Sequence, residues 1–405
     1  MNKDTNKLIP ELRFPEFKDK GEWGEKSLED ILNYERPDNY IVTNTDYQNE
    51  GIPVLTANKS FILGHTKEDY GIYNNLPAII FDDFTVDSKF VDFPFKVKSS
   101  AIKILTPKNS DNLRFTYELI SQIKFDAKEH KRYYISEYQK LKLPFPNPKE
   151  QQKIASCLSS LDEVIEAQNK KIELLKDYKK GLMQNLFPQE GEKVPNYRFP
   201  EFENDGEWEE KSLGELIEIK GRIGYRGYTT EDIVNKGEGA ISLSPSNFTE
   251  RGSLEFEKAT YISWGKYEES PEIMLQKGYI VLVKTGSSYG KTALVRDLSE
   301  KTTINPQIVV LKPKKIDSFF LFLLVSNHSV QKQINETVVG GAIPTLSQES
   351  ISKFEVLIPQ NPKEQQKIAE CLSSLDEQIE VQIQKLEQLK QHKKGLMQGL
   401  FPKVN

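Results

Sequence analysis

Two stretches of the chain carry apolar residues at alternating steps of three and four positions, with one Gln and one Lys inside each series. A 3.5-residue period held over about five heptads is typical of a coiled-coil seam, and polar residues inside a seam fix register and partner choice. The predicted seam consists of Ile154, Leu158, Leu161, Ile165, Gln168, Ile172, Leu175, Lys179 and Leu182, and of Ile368, Leu372, Leu375, Ile379, Gln382, Leu386, Leu389, Lys393 and Leu396.

The two stretches are also copies of one another. Residues 147–188 and 361–402 match at 32 of 42 positions, and the shorter segment 13–28 recurs as 198–213 with 12 of 16 positions matched. A proline near the start of each long copy suits a first helical turn, and a Phe-Pro pair suits its end. We therefore predict two helices of about 38 residues, each roughly 55–60 Å long.

Each predicted helix carries an apolar stripe that needs a partner. Two equal copies in one chain offer each other that partner, and a two-fold axis between the halves makes the helices antiparallel. Two alternatives stay open: each helix packs on its own domain, or two chains dimerise through their helices. We predict the antiparallel pair within one chain.

The interiors between the repeats, roughly 29–146 and 214–360, do not resemble each other. Short β-prone runs bounded by Gly and Ser predict strands, and helical spacing predicts one helix in each interior. The predicted strands lie at 78–81, 101–105, 215–220, 238–242, 279–284 and the end of 302–311, and the predicted helices lie at about 112–122 and 318–334.

The predicted fold class is mixed α/β (α+β). Two globular domains are joined by a long antiparallel two-helix coiled coil, with a pseudo-two-fold internal repeat. The predicted boundaries are 1–146 for the first globular domain, 147–188 for the central helix, 189–360 for the second globular domain and 361–405 for the C-terminal helix.

Composition is that of an ordinary globular chain, with 405 residues, 37% of them hydrophobic and 28% charged. No run approaches the ~20 apolar residues of a membrane span, and the N-terminus lacks the apolar region of a signal peptide. Cys157 and Cys371 occupy equivalent repeat positions. We expect a cytoplasmic protein with reduced thiols; a disulfide between the two is the alternative.

Several loops combine basic and aromatic residues with glycines, which suits contact with a phosphate backbone and base edges. Such loops also occur on ordinary surfaces, and a net charge of −5 is not the signature of a protein that coats nucleic acid. DNA binding would depend on these patches or on partner chains. The candidate DNA-binding residues are Arg36, Lys59, Lys131, Arg132, Tyr133 and Tyr134 in the first interior, and Arg222, Tyr225, Arg226, Tyr228, Ser287, Ser288, Tyr289, Lys291, Gly340 and Gly341 in the second.

The sequence offers no convincing catalytic or metal-binding arrangement. Residues 286–292 (GSSYGKT) are similar to a phosphate-binding P-loop, but their two glycines enclose three residues instead of four. The four histidines are scattered, and no zinc spacing surrounds the cysteines. Asp82, Asp83 and Asp87 suggest a metal-dependent nuclease, but no lysine stands at a convincing spacing, so we favour a solvated turn. We predict no catalytic residue, metal or cofactor on this chain.

The layout resembles the specificity (S) subunit of type I restriction–modification systems. Both long copies open with EQQKIA and close with KKGLMQxLFP, and the resemblance spans about 13–402. The second interior carries GYRGYTTEDI (224–233), SYGKTALV (288–295), INPQIVVLKP (304–313) and GGAIPTLS (340–347), which are similar to segments of the family's target recognition domains. The first interior matches less well: KVKSSAIKIL (96–105) and HKRYYISEYQKL (130–141) stand in place of INPQIVVL and GGAIPTLS.

The resemblance implies a non-catalytic recognition subunit that binds double-stranded DNA. Each globular domain would read one half of a bipartite asymmetric target, mainly in the major groove. The helices would set the spacer length and dock two methyltransferase (M) subunits, which supply adenine N6-methylation. Two restriction (R) subunits would add ATP-driven translocation and cleavage, so S-adenosylmethionine, ATP and Mg²⁺ are expected on partners, with no membrane involved.

Two other functions stay open at this stage. One is a nuclease with a site around residues 82–87, which DNA cleavage by the chain alone with a divalent metal would favour. The other is a structural adaptor with lectin-like or peptide-binding domains on a coiled-coil stalk. Failure of a reconstituted complex to bind DNA sequence-specifically would favour the adaptor.

Overall fold

The computed structural model describes residues 8–58, 60–127, 129, 131–249, 252–337 and 345–403. The chain divides into two compact units. Unit 1 comprises residues 1–170 and 383–405, and unit 2 comprises residues 171–382. Each unit therefore contains one of the dissimilar interiors together with parts of both long helices.

Unit 1 is a mixed α/β domain built from short strands. Its strands are β1 (Gly24–Ser27), β2 (Leu32–Glu35), β3 (Ile52–Leu55), β4 (Ile62–Thr66), β5 (Ala78–Asp82), β6 (Ser88–Val91), β7 (Lys96–Val97), β8 (Ile102–Pro107) and β9 (Lys142–Phe145). Its helices are α1 (Leu28–Ile31), α2 (Leu113–Ile120) and the first part of α3 (Pro148–Leu186). One sheet has the antiparallel order β2-β8-β5-β6, and another has the order β4-β3-β7 with β3 and β7 parallel; β1 pairs with β9.

Unit 2 is built in the same way. Its strands are β10 (Glu209–Ser212), β11 (Ile217–Gly221), β12 (Ile233–Val234), β13 (Gly239–Leu243), β14 (Thr260–Ser263), β15 (Ile280–Val283), β16 (Thr292–Leu294), β17 (Thr302–Ile304), β18 (Ile308–Pro313) and β19 (Glu355–Ile358). Its helices are α4 (Leu213–Leu216), α5 (Trp264–Glu268), α6 (Ser318–Ser326), α7 (His328–Thr337), α8 (Gln348–Ser352) and the first part of α9 (Pro362–Leu400). The sheets are β11-β18-β15-β16, β12-β14-β13-β17 and β10-β19.

The two interiors share one topology although their sequences do not resemble each other. In unit 1, β7 lies parallel to β3 and β8 joins β2 to β5; in unit 2, β17 lies parallel to β13 and β18 joins β11 to β15. The KVKSSAIKIL segment therefore occupies the place of INPQIVVL, as the sequence predicted. The internal repeat therefore extends from the matched segments to the folds of the interiors between them.

Two predicted elements differ from the observed ones. The predicted helix 318–334 is two helices, because Asn327 adopts an extended conformation between α6 and α7. The predicted strand 215–220 starts late, because Ser212 and Glu215 form a capping box that begins α4. An equivalent box at Ser27 and Asp30 begins α1 in unit 1.

The long helices α3 and α9 each span 39 residues, and their predicted seam residues are buried or half-buried. In unit 1, Lys393 Nζ on α9 lies 2.7 Å from Asp162 Oδ1 on α3. In unit 2, Lys179 Nζ on α3 lies 2.5 Å from Asp376 Oδ1 on α9. Because each lysine in the second half of one helix meets an aspartate in the first half of the other, the helices run antiparallel within each unit. The predicted intrachain antiparallel pair is confirmed.

The short repeated segment contacts the ends of the long repeated helices, and this contact explains part of their similarity. Unit 1 shows the contact first. Its frame segment (residues 8–28) contacts the start of α3 and the end of α9. Arg13 donates from Nε and Nη2 to the two carboxylate oxygens of Glu150 at 2.7 and 2.8 Å, and this pairing raises the pKa of Arg13. The Leu12 N–H donates to the Gly399 carbonyl at 2.8 Å. One segment therefore joins the ends of the two antiparallel helices.

Unit 2 repeats these contacts through its own frame segment (residues 193–213). Arg198 donates to Glu364 at 2.8 and 2.7 Å, and the Tyr197 N–H donates to the Asn185 carbonyl at 2.9 Å. The short and long matched sequences therefore form the two sides of one contact, which occurs once in each unit. This contact accounts for part of the near-identity of the copies.

The helix ends also belong to the cores of the globular domains. Ile154, Leu158 and Phe401 are buried with Trp23 and Phe115 in unit 1. In unit 2, the buried cluster likewise combines the end of α3 and the start of α9 with the apolar helix α6. Both cysteines are free thiols, and burial raises the pKa of Cys371. Among the described residues, no helix combines the length and apolarity that a membrane crossing requires.

Candidate nucleic-acid interface

Three connections of unit 1 meet at one edge of its four-stranded sheet. The end of β2 lies opposite the start of β8, since Glu35 pairs with Ile104. The start of β8 lies opposite the end of β5, since Ile102 pairs with Asp82. Arg36, the turn 83–87 and the connection 98–101 therefore share this edge, which we call loop edge 1.

Unit 2 has the same edge. Gly221 at the end of β11 pairs with Val309, and Val283 at the end of β15 pairs with Ile308. The segments 222–228, 284–291 and 305–307 therefore lie together, and we call them loop edge 2. Most sequence-predicted DNA-binding residues fall on or beside these two edges.

The opposite ends of the strands lead toward the long helices. After β8, the Asn112 N–H donates to Gln151 Oε1 on α3 at 2.8 Å. After β18, Phe320 stacks on Phe187, just past the end of α3, with ring centroids 5.6 Å apart. The loop edges therefore lie at the end of each sheet that does not carry the helix contacts.

Loop edge 1 presents basic side chains from separate parts of the chain. Arg36 and Arg132 are exposed, and the Arg132 guanidinium lies 5.7 Å from the centre of the Phe84 ring in the β5–β6 turn. Lys98 is also exposed here, and its N–H donates to the Leu55 carbonyl at 3.0 Å. Sequence reasoning missed Lys98, because only the strand pairing shows that its connection lies at this edge.

Tyr133 and Tyr134, which the sequence predicts as DNA contacts, are core residues in this structure. They are 2% and 1% exposed, and burial raises the pKa of Tyr134 far above its usual range. Their N–H groups donate to the backbone carbonyl and the carboxylate of Asp83 at 2.9 and 2.8 Å. Lys131 and Arg132 are exposed, whereas the two adjacent rings that follow them pack inside.

Lys131 is exposed, but two carboxylates already balance its charge. Glu129 and Glu137 lie 2.9 and 3.0 Å from its ammonium group, and both raise its pKa. A phosphate would have to compete with these two glutamates. Arg132 is therefore the stronger candidate in this segment.

The aspartates at residues 82–87 form a structured turn, so the expectation of a solvated turn is wrong for two of them. Asp83 is 2% exposed and pairs with the equally buried Lys103 at 3.1 Å. Asp82 Oδ1 accepts from the N–H groups of Phe84 and Thr85. The partner lysine is distant in sequence and comes close only through the β5–β8 pairing. The described residues contain no group of three or more His, Cys, Asp or Glu able to hold a metal.

Arg222, which the sequence predicts as a direct DNA contact, is buried and supports loop edge 2 from inside. It is 5% exposed, and burial lowers its pKa. Its Nε donates to the Ile304 carbonyl at 3.0 Å and its Nη2 donates to Thr303 Oγ1 at 3.3 Å. The side chain therefore ties the segment 222–228 to β17.

The other candidates of this segment are less deeply buried. Arg226 is half-buried; it donates to the Glu269 carbonyl at 3.0 Å and lies 3.5 Å from Glu272 Oε1. The half-buried Tyr228 ring faces the Arg222 guanidinium at 5.7 Å. The side chain of Tyr225 lies outside the described part of the structure, as do Lys59, Gly340 and Gly341.

The GSSYGKT segment is a β-hairpin connection between β15 and β16. Gly286 and Gly290 have φ of +100° and +82°, a region that favours glycine. Ser287 is exposed and Ser288 half-exposed at the tip, whereas Tyr289 Oη donates to Asn335 Oδ1 at 3.0 Å. A P-loop joins a strand to a helix, so this strand-to-strand connection has a different architecture. Lys291 is half-buried at the base of the hairpin.

The comparison with known families decides the identity. The family model for the type I restriction modification DNA specificity domain matches residues 20–177 and 205–391. The chain belongs to this family. It is a type I restriction–modification specificity subunit with a role in DNA target recognition, and each matched segment contains one loop edge.

Individual relatives agree with the family match. The chain is 29% identical over 363 residues to the specificity subunit of a type I restriction enzyme of Escherichia coli, covering 86% of this chain and 85% of that one. It is similar in fold to the crystal structure of a type I S subunit from M. genitalium, with a TM-score of 0.63, 16% identity and coverage of 98% and 100%. A structure from a study of the complex assembly of a type I system gives a TM-score of 0.52, 15% identity and coverage of 94% and 97%. These structural likenesses support the fold.

Proposed function

We propose that this specificity subunit reads a bipartite asymmetric DNA target, one half with each loop edge, and carries no catalytic site itself. The observation that carries the proposal is that two units of equal topology present different side chains at equivalent positions. Loop edge 1 exposes Arg36, Lys98 and Arg132, whereas loop edge 2 exposes Ser287 and Gln307. Base edges in the major groove differ in their donor and acceptor pattern, so unlike edges read unlike sequences.

The repeated helices support a second part of the proposal, which is that they dock two M subunits. Several large apolar side chains on the helices are exposed, among them Leu174, Tyr178 and Val381 at 60, 61 and 57%. Exposed apolar side chains of this size suit a protein partner. Two R subunits complete the cytoplasmic complex, and the M and R partners hold S-adenosylmethionine, ATP and Mg²⁺. Cations from these partners offset the net charge of −5 when DNA is bound.

The third part concerns spacing. We propose that the helix pair sets the number of base pairs between the half-sites. Helices of 39 residues extend about 58 Å at 1.5 Å per residue. Half-sites one turn of DNA apart are ~34–36 Å from centre to centre, a distance that helices of this length can span.

Lengthening the helices is expected to lengthen the spacer. A heptad inserted after Lys170 and another after Gln382 keep the seam in phase and add ~10 Å to each helix. The methylated target should then keep both half-sites and gain whole base pairs between them, as read by methylation-sensitive genome sequencing. A heptad inserted after Gly191 in the exposed connection that follows α3 is the matched control and should leave the spacer unchanged. An unchanged spacer in the helix variant would contradict the proposal that the helix pair sets the spacing.

The experiment that tests the proposed function is expression of this chain with an M subunit in a strain that lacks the system. Genome sequencing should show adenine methylation at one bipartite asymmetric motif, and omission of the chain should abolish it. Cleavage of DNA by the purified chain with a divalent metal would instead support a nuclease. A complex that forms but binds DNA without sequence preference would support an adaptor.

A further inference from the structure

Loop edge 2 contains a shallow depression of about 300 Å³ lined by small polar side chains. Three connections contribute to it: the chain after β13, the β15–β16 hairpin and the β17–β18 connection. None of its described lining residues carries a carboxylate. The lining residues are Ser244, Pro245, Ser246, Thr285, Gly286, Ser287, Ser288 and Gln307, and we call this depression the serine pocket.

The rim of the serine pocket is fixed by internal hydrogen bonds. The Ser244 N–H donates to Asn247 Oδ1 at 2.9 Å, which holds the chain after β13. The Lys284 N–H donates to the Gln307 carbonyl at 2.8 Å, which joins the hairpin to the β17–β18 connection. A ligand would therefore meet a preformed surface and would lose little free energy in ordering it.

Asn305 fixes the direction of the amide at this rim. Its Nδ2 donates to Gln307 Oε1 at 3.1 Å, and its Oδ1 accepts from the Gln307 N–H at 2.9 Å. With Oε1 turned toward Asn305, the Nε2 group of Gln307 is the outward donor. The amide therefore offers hydrogens to the pocket.

The hairpin tip adds further donors. Among the described residues, the N–H groups and hydroxyls of Ser287 and Ser288 have no acceptor, and Ser287 is exposed. Successive N–H groups in a glycine turn form a concave site for anions. Lys284 and Lys291 flank the tip and add positive charge to its surroundings. Donors, flanking cations and a carboxylate-free lining together select an anion.

Of the groups that DNA presents, a backbone phosphate suits the pocket better than a base edge. A phosphate is charged and its oxygens only accept hydrogen bonds, whereas base edges are neutral and most base pairs present both donors and acceptors. Protein hydroxyls, amides and backbone N–H groups are common phosphate partners that fix the register of a protein on DNA. We propose that the serine pocket binds one backbone phosphate of the half-site that unit 2 reads. This inference rests on the proposed function and assigns the pocket a positioning role.

Unit 1 offers an internal comparison. At the position equivalent to the hairpin, its β5–β6 turn carries Asp83, which is buried against Lys103. The connection equivalent to 305–307 carries Ser99 and Ser100. The donor-lined tip therefore belongs to unit 2, and the phosphates of the other half-site should not depend on it.

The test couples a change in the protein to a change in the DNA. The subunit in complex with M subunits is titrated with duplexes carrying its methylated motif, each with one phosphate replaced by a neutral methylphosphonate. Neutralising one phosphate of the unit 2 half-site should weaken the wild-type complex about ten-fold, since hydrogen bonds to charged groups contribute more than neutral ones. The double variant Ser287→Ala with Ser288→Ala should bind native DNA about ten-fold more weakly and become less sensitive at that one phosphate, because it loses both hydroxyls and keeps only the backbone N–H groups and Gln307 as donors. Ser99→Ala with Ser100→Ala is the matched control and should keep the wild-type response there.

The outcomes separate the pocket from the proposed function. If the Ser287/Ser288 variant is as sensitive as the wild type at every phosphate, or if its base preference in the half-site changes, the phosphate assignment is wrong although sequence-specific binding stands. Ser288→Asp, which adds a repelling charge, should weaken binding more than alanine, and equal weakening would also overturn the assignment. A wild-type complex without sequence preference would refute the pocket and the proposed function together.

Discussion

Glu150→Ala is expected to destabilise unit 1 by about 3–5 kcal/mol, the cost of leaving a buried charge without its partner. Glu150 is 1% exposed and accepts two hydrogen bonds from Arg13 and one from Trp23 Nε1 at 3.2 Å. These contacts hold the frame segment on the start of α3. Hydrogen–deuterium exchange resolved by peptide should show amides of residues 8–28 and the start of α3 exchanging more than a hundred-fold faster.

Two variants serve as controls for this result. Glu364→Ala breaks the equivalent pair with Arg198 and should move the faster exchange to unit 2. Glu16→Ala removes an exposed partner of Lys153 at 3.2 Å and should change exchange little, because surface pairs stabilise weakly. Removing Arg13 together with Glu150 should cost less than removing Glu150 alone, since no unpaired charge stays buried. Equal effects of Glu150→Ala and Glu16→Ala would contradict the role assigned to the frame.

The long helices could be predicted from the sequence because their signal is local and repeated. A 3.5-residue period over five heptads leaves few alternative structures, and its duplication supplied a partner. The antiparallel direction followed from the two-fold relation and is confirmed by the lysine–aspartate pairs in each unit. The function class followed from the resemblance, and the family match confirms it.

The candidate DNA-binding residues were harder to predict, because exposure depends on contacts far along the chain. Arg222 is of a residue type that is common in DNA contacts, but it is buried against β17. Tyr134 is buried on Phe81, with ring centroids 5.2 Å apart. Asp83 lacked a visible partner because Lys103 lies across a strand pair. Side-chain chemistry could be read from the sequence, but side-chain direction could not.

The observed strand order shows which residues lie at each loop edge, and the sequence alone did not show this. Nothing in the sequence around Lys98 and Gln307 marked them as candidates. The pairing of β8 with β5 and of β18 with β15 places the connections that carry them at the loop edges. Sequence patterns located the six strands that they predicted to within a few residues, and left the other described strands unassigned. Their order in the sheets depends on pairings between distant segments, which a local pattern does not contain.

The second large effect concerns the proposal that each unit reads one half of the target, which we call the two-reader account. Residues 32–143 carry loop edge 1 and begin and end at strands β2 and β9, so a relative's interior can replace them within an intact frame. The donor interior should keep a cation at the position of Arg114, because Arg114 pairs with Asp162 on α3. The reverse exchange, with residues 217–354 of unit 2 replaced, is the matched control.

The decisive measurement is methylation-sensitive genome sequencing of a strain that expresses the 32–143 exchange with its M subunit. The two-reader account predicts a new base sequence in one half of the methylated motif, with the other half and the spacer unchanged. The unit 2 exchange should alter the complementary half. Change in both halves, or in neither, would contradict the account.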